Sequence, residues 1–294
     1  MPSAPKKKLP PPVAVAFKTR DGVQLSATFY PTPLEKDAQK DAVPVILLHS
    51  FKGSRAEFND LAVALQEAGC AVLAPDLRGH GQSTRRTTSE GNDVEIEQAL
   101  MIRQDFDAMA HSDVDTSGDV EACKKFLMDK NNAGQLNIDK LVLIGAEMGA
   151  AVAINWARRD WSWEPLASGK QGKDVKALVL LSPEWSFRGL TIGTAVADRD
   201  FASQVSWMIL VGQQDPKIYP DAKRLYSALE KTPLPTTAEA PGKPAIEFHQ
   251  FATSLEGTKL LAKNFNTTAE ILMFIEKQVA KTAHPWMNRK SPLQ

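Results

Sequence analysis

The stretch LVLIGAEMG, residues 141–149, joins an apolar run to a helical pattern and decides the fold of this 294-residue chain. Its first five residues predict a buried strand, and the residues that follow predict a helix over Met148–Arg158. Strand and helix backbones approach closely at such a turn, and Gly145 and Gly149 supply the small residues that this approach requires. The sequence therefore predicts a tight turn that presents the side chain of Glu147.

Short apolar strands alternate with helical stretches on both sides of this turn. The other predicted strands are Val13–Lys18, Val23–Tyr30, Val43–His49, Cys70–Pro75, Ala177–Ser182, Ser206–Gly212 and Ile246–Phe251. The other predicted helices are Glu57–Ala68, Asp119–Met128, Asp221–Leu229 and Thr258–Val279. Continuous apolar strands separated by helices indicate an α/β protein whose mostly parallel central sheet carries helices on both faces. The first two strands are predicted to form an antiparallel edge, and the polar run Arg85–Glu97 a surface loop.

We expect a single domain over residues 13–283. Residues 1–12 contain five prolines and three consecutive lysines, which is typical of a flexible tail that cannot join a core. Residues 284–294 are predicted to form a frayed C-terminal tail.

Composition excludes several classes of function. Lys plus Arg equal Asp plus Glu at 35 each, so the basic excess of a nucleic-acid-binding protein is absent. No apolar run reaches the roughly 18 residues of a membrane span, and the start has no apolar leader segment. Cys70 and Cys123 have no C-x-x-C partner, so we interpret them as structural thiols. We expect a soluble protein of unknown compartment, cytoplasmic by default, or exported if a leader was removed.

Four further motifs follow predicted strands. They are HSFKGS at 49–54, DLRGHGQS at 76–83, GQQDP at 212–216 and LEGTKLL at 255–261. Together with residues 145–149, their order and spacing over about residues 15–280 resemble the α/β-hydrolase superfamily. The chain is most similar to the lysophospholipase, dienelactone-hydrolase and serine-aminopeptidase-like branch. The resemblance implies an α/β-hydrolase fold with a short cap region.

The resemblance also implies a role for each motif. The family's nucleophilic serine would stand at Glu147, its acid at Asp215 and its histidine at Glu256. Its oxyanion hole would use the backbone amides of Phe51 and Met148. Only Asp215 matches the family's residue type, so these are triad-equivalent positions with two replacements.

The two replacements remove the groups that serine hydrolases need. A serine becomes nucleophilic when a neutral imidazole takes its proton, and loss of one triad member costs about three or more orders of magnitude in turnover. Our leading hypothesis is therefore a non-hydrolytic pseudoenzyme with a degenerate triad that binds a small molecule or a protein partner. No cofactor is expected.

An active hydrolase of ester or amide bonds is the main alternative. In one version Glu147 attacks as a carboxylate and forms an ester intermediate, with Glu256 as the base, although Glu is one methylene longer than the Asp that such enzymes use. In another version a relocated serine acts, and Ser50 and Ser182 are the pocket candidates because they end strands near the expected site. The histidines available to such a serine are His49, His80, His111, His249 and His284.

The charges of three acids that are expected to converge could be balanced in more than one way. Glu147, Asp215 and Glu256 could be neutralised by Lys52, another pocket candidate, or by sharing a proton. They could instead hold magnesium, calcium or manganese, because oxygen ligands suit these ions. We expect no metal.

Overall fold

The structure, a computed structural model, describes residues 9–110, 118–167, 169–232 and 244–290. His111 and the outer parts of both predicted tails, residues 1–8 and 291–294, lie outside this description. The strands are β1 Val13–Lys18, β2 Val23–Tyr30, β3 Pro44–Leu48, β4 Ala71–Pro75, β5 Arg85–Thr87, β6 Asp93–Glu95, β7 Leu141–Ala146, β8 Val175–Leu181, β9 Ser186–Phe187, β10 Leu190–Thr191, β11 Ser206–Gly212 and β12 Ile246–Phe251. The α-helices are α1 Asn59–Glu67, α2 Arg103–Ala110, α3 Asp119–Asn132, α4 Met148–Ser162, α5 Gly193–Ala197, α6 Arg199–Ala202, α7 Ile218–Glu230 and α8 Thr267–Ile275.

The central sheet has the strand order β12-β11-β8-β7-β3-β4-β2-β5-β6, and β1 pairs with β2. Strands from β12 through β4 run parallel, while β1, β2, β5 and β6 are antiparallel to their neighbours. Carboxyl ends of parallel strands meet at one edge of a sheet, which places the loops after β3, β7, β8, β11 and β12 together. The predicted α/β fold with a mostly parallel sheet is confirmed.

Each face of the sheet has its own hydrophobic core. Along β3, Val45 and Leu47 pack into one core while Ile46 and Leu48 pack into the other, because successive side chains of a strand point to opposite faces. One core includes residues of α1 and α8, and the other includes residues of α3, α4 and α7. No helix within the described ranges is long and apolar enough to cross a membrane.

The cap is short, as predicted. Between β8 and β11 the chain forms the β9–β10 hairpin and the helices α5 and α6. Phe187 of this hairpin packs against Phe51, with ring centroids 5.4 Å apart. The cap therefore covers the loop that follows β3.

Two predicted elements are wrong in detail. The run Arg85–Glu97 is a β5–β6 hairpin rather than a loop, and β5 pairs with the start of β2. Both strands of this hairpin are exposed, which explains why their sequence lacks apolar alternation. Among the described strands β1 pairs with β2 alone, so the predicted antiparallel edge formed by these two strands is confirmed. The predicted final helix Thr258–Val279 is broken, because Asn266 adopts a left-handed conformation (φ 56°) before α8 begins.

The C-terminal tail is anchored rather than frayed over its described part. Arg289 is buried, and its guanidinium pairs with Asp174 (Nη2–Oδ2 2.9 Å). The side chains of Asn131 and Asn137 donate to the carbonyls of Met287 and His284. An isolated arginine near a chain end gives no sequence signal for such a contact.

Candidate active site

The turn between β7 and α4 has a strained backbone. Glu147 has φ 50° and ψ −109°, a combination that is rare for a residue with a side chain. Its amide donates to the carbonyl of Leu181 (2.9 Å), and its carbonyl accepts from the amide of Ala150 (3.0 Å). Neighbouring strand and helix therefore hold residue 147 in this conformation. We call residues 145–149 the elbow.

The glycines of the elbow are required by close backbone contacts. A Cβ on Gly145 would overlap the carbonyl of Gly149, and a Cβ on Gly149 would overlap the carbonyl of Leu48. Backbone atoms cannot move aside as the end of a side chain can. The prediction that both positions need small residues is confirmed.

The Glu147 carboxylate points toward the loop after β12. A Cβ built on Gly257 would overlap Glu147 Oε1 and would lie 3.1 Å from Ser50 Oγ. Gly257 has φ 56°, and its amide donates to the hydroxyl of Ser182 (2.9 Å). The loop that carries Glu256 is thus fixed against the elbow.

The surroundings of Glu147 are acidic. Burial raises the pKa of Glu147, the charges of Glu256, Glu57 and Glu184 raise it further, and Lys259 partly opposes them, so that it reaches about 7. Among the described residues, no donor makes a hydrogen bond to this carboxylate. The group therefore exists in both protonation states near neutral pH.

Glu57 lies behind the loop that follows β3. Its Oε2 accepts the amide of Ser50 (3.1 Å), and a Cβ on Gly53 would overlap its carboxylate. Burial raises the pKa of Glu57, while hydrogen bonds from Ser50 and Thr258 oppose that effect. No motif marked Glu57 in the sequence, because it belongs to a turn whose composition is ordinary.

Glu184 lies at the start of the cap and pairs with Lys217 (2.9 Å). Neither residue falls in a motif, so sequence reasoning missed both. The Lys217 side chain is 74% exposed, which leaves most of its charge in solvent. Predicted neutralisation by Lys52 is not seen: Lys52 is exposed, has no ion pair within the described part of the chain, and lies 5.9 Å from the Phe51 ring.

Asp215 serves the start of α7. Its Oδ1 accepts the amides of Lys217 (2.8 Å) and Ile218 (2.9 Å), as a helix-capping carboxylate does. The hydrogen bond to Glu184 raises the pKa of Lys217, and the charges of Glu256 and Asp215 raise it further, so both acids lie near Lys217.

Two backbone amides near Glu147 lack acceptors. Over the described ranges, neither Phe51 nor Met148 donates its amide to another protein atom. Met148 is fully buried and begins α4, where the first amides have no carbonyl partner within the helix. They are the two amides predicted from the sequence to form an oxyanion hole, and that role stays a prediction.

Comparison with known proteins agrees with this geometry. A family model described as the alpha/beta hydrolase fold matches residues 43–209, which is more than half of the chain. The chain belongs to the α/β-hydrolase fold family.

Relatives within the family are distant. The chain is 31% identical over 122 residues to an sn-1-specific diacylglycerol lipase, ABHD11, of Danio rerio, and the match spans 41% of this chain and 29% of that lipase. An esterase of Pyrococcus furiosus is 17% identical, with a TM-score of 0.56 over 92% of this chain and 93% of the esterase. An acylaminoacyl peptidase of Pyrococcus horikoshii is 12% identical, with a TM-score of 0.60 over 95% of this chain and 44% of the peptidase. At these identities the solved structures share the fold alone.

The histidine beside Ser50 cannot activate it as a family base would. His49 Nε2 accepts the amide of Leu77 (3.0 Å), and Nδ1 lies 2.7 Å from the carbonyl of Ser50, to which it donates as N–H. Burial lowers the pKa of His49 to about 4. Because the lone pair is already used, His49 has none left to take a hydroxyl proton.

The remaining described histidines have other contacts. His80 Nδ1 lies 2.8 Å from the carbonyl of Arg78 within its own turn, and its Nε2 is buried without a partner. His249 lies between two glutamates on the sheet edge, and His284 lies 3.8 Å from Asp139 in the C-terminal tail. A relocated serine–histidine pair therefore has no support from these residues.

A metal site also lacks structural support. Within the described part of the chain, no group of three or more His, Cys, Asp or Glu side chains is arranged to hold an ion. Ser182 is fully buried with its hydroxyl accepting from Gly257, so it presents no exposed nucleophile.

Proposed function

We propose that this member of the α/β-hydrolase family does not hydrolyse esters by the serine mechanism and instead binds a small molecule at the elbow. The observation that carries the proposal is a pair of acids: Glu147 of the elbow, where a nucleophilic hydroxyl is needed, and Glu256 of the loop after β12, where an imidazole is needed. A carboxylate beside Glu147 cannot replace a neutral base without adding like charge, and the raised pKa of Glu147 reflects its burial first and then that repulsion.

The ligand class is a compound with a carbonyl group. The unpaired amides of Phe51 and Met148 are donors suited to one carbonyl oxygen. The similarity to a diacylglycerol lipase, though confined to 122 residues, supports an acyl compound as one member of this class.

A small molecule is favoured over a protein partner because the cap packs on the loop that carries the Phe51 amide. Phe187 packs on Phe51, and the Arg188 guanidinium lies 4.3 Å from the centre of the same ring. This arrangement suits a ligand that enters beneath the cap better than it suits a flat protein surface.

An esterase panel tests the proposal directly. Purified protein should give no turnover of p-nitrophenyl acetate, butyrate or octanoate, and a fluorophosphonate probe should leave it unlabelled. Turnover that is lost in Glu147→Gln would instead establish the alternative, a hydrolase with a carboxylate mechanism.

A restoration experiment tests whether the binding site is intact. The double change Glu147→Ser with Glu256→His should create measurable esterase activity, because the amides of Phe51 and Met148 do not depend on side-chain identity. The single change Glu147→Ser serves as the matched control and should remain far less active. A folded but inactive double variant would contradict the proposed carbonyl-binding site.

A further inference from the structure

The elbow sets a carboxyl group beside an unpaired hydrogen-bond donor. Glu147 and Met148 are consecutive, and the Met148 amide opens the first turn of α4. The Phe51 amide reaches the same edge of the sheet from the loop after β3. A carbonyl oxygen bound by the Met148 amide would lie next to residue 147 in the chain, and the side chain of that residue is a carboxylate.

We propose that Glu147 transfers a proton at the carbon next to a carbonyl group bound by the Phe51 and Met148 amides. The site would then interconvert keto and enol forms, or shift a conjugated double bond, in a ketone or related acyl compound. This inference rests on the proposed function, which supplies the bound carbonyl compound and the absence of hydrolysis.

The step balances without a co-reactant. The Glu147 carboxylate takes the α-proton, the C–H electron pair becomes the C=C bond, and the carbonyl π pair moves onto the oxygen that the two amides hold. In the return step the Glu147 carboxyl group delivers its proton to the same carbon or to the far end of a conjugated system. In this step the two backbone amides stabilise the negative oxygen, and fixed donors of this kind usually make a large contribution to enzymatic rate enhancement.

The charge environment of Glu147 suits both halves of this step. A general acid–base group works best when its pKa lies near the working pH. Burial, then Glu256 from the loop after β12, Glu57 from the turn after β3 and Glu184 from the cap raise the pKa of Glu147 to about 7, against Lys259. At neutral pH one carboxyl group can therefore accept a proton and return it.

Hydrolysis through an ester on Glu147 would require a second group that activates water. An ester formed on Glu147 has to be broken by an activated water, and Glu256 stands where the family's histidine would activate it. Proton transfer ends with the carboxyl group unchanged and needs no water. Glu256 is then a positioning residue, which acts by setting the proton affinity of Glu147.

The first measurement establishes occupancy of the site. Protein labelled with ¹⁵N-methionine is titrated with acetone, phenylacetone and 2-undecanone, and the amide signal of Met148 should shift for at least one of them. The amides of distant methionines serve as internal controls. If no ketone moves the Met148 signal, the carbonyl-binding function fails, and the inference fails with it.

The second measurement follows deuterium exchange at the α-carbon of the bound ketone in D₂O. Exchange should exceed that of the Glu147→Gln variant by about 100-fold or more, the usual effect of one general base. Glu67→Gln, an exposed glutamate at the end of α1, should match the wild type. Binding with no excess exchange over Glu147→Gln would overturn the inference and leave the binding function standing.

The pH profile separates proton transfer from a structural role of the same residue. Exchange should rise with pH and level off above about 7, as Glu147 loses its proton. Glu256→Gln removes a negative neighbour, which lowers the pKa of Glu147 and should move the plateau to lower pH. A profile that Glu256→Gln leaves unmoved would contradict the assignment of Glu147 as the base.

Discussion

The two ends of α4 carry carboxylates in opposite surroundings. At its start, Glu147 lies among other acids and its pKa is raised to about 7. Near its end, Asp160 is fully buried beside Lys124 (2.6 Å) and accepts the amides of Asp174 and Val175. Burial alone would raise the pKa of Asp160, but Lys124 and these amides hold it below its ordinary value.

These contrasting surroundings distinguish a carboxylate that stabilises the fold, Asp160, from one that is available for proton transfer, Glu147. Lys124 also pairs with Asp174 (3.0 Å), which in turn binds Arg289, so the charges of this set are partnered. We call Lys124, Asp160, Asp174 and Arg289 the Asp160 network. Glu147 has no such partners within the described residues, and a perturbed carboxyl group in that condition is typical of functional sites.

The largest expected effect comes from breaking the Asp160 network. Lys124→Met leaves Asp160 and Asp174 buried without their shared cation, which should lower the free energy of unfolding by about 3–5 kcal/mol. Lys125→Met, an exposed neighbour on α3, is the control and should change it by less than about 0.5 kcal/mol. Urea denaturation measures both. Equal effects of the two variants would contradict the structural role given to the network.

The sequence predicted the parts of the site that depend on local backbone geometry. The elbow glycines, the strand ends and the loop before Gly257 follow from short patterns, and the structure brings them together at one edge of the sheet. The acids around Glu147 could be predicted only in part, since Glu57 and Glu184 reach the site by packing and carry no motif.

The Asp160 network escaped prediction for a related reason. Its members are ordinary charged residues in four separate segments, and only the fold brings them within 3 Å. Its connection to Arg289 also reversed the expectation of a frayed tail. Ion pairs between residues that are distant in the chain produce no periodic pattern in a single sequence, whereas a buried strand or helix face does.

A substitution at the start of α4 is expected to raise the free energy of unfolding, by less than Lys124→Met lowers it. The unfolded chain releases the Glu147 proton near its ordinary pKa of 4.5, while the folded protein keeps it to about 7. The resulting stability is complete below pH 4.5 and is lost as the pH rises through 7. Glu147→Gln should therefore be more stable than the wild type at pH 8, by about 1–2 kcal/mol once solvent screening of a half-buried group is allowed for.

The two proteins should differ least at pH 4, so urea denaturation across pH 4–8 measures the effect as a widening gap. Glu67→Gln provides the exposed control and should show no such trend. A gap that narrows as the pH rises would mean that cations, rather than acids, dominate the surroundings of Glu147.

The smallest effect tests whether an ion pair at the rim of the site behaves like the Asp160 network. Lys217 is largely exposed, so its pair with Glu184 should contribute no more than about 0.5 kcal/mol, and less at high salt. Lys217→Gln is compared with Lys223→Gln, an exposed lysine on the same helix. Because Glu184 raises the pKa of Glu147, removing its cation should also move the Glu147 titration slightly upward. If Lys217→Gln lowers the free energy of unfolding by more than about 1 kcal/mol in urea denaturation, the Lys217–Glu184 pair stabilises the fold as the Asp160 network does. The contrast between the two ends of α4 would then no longer hold.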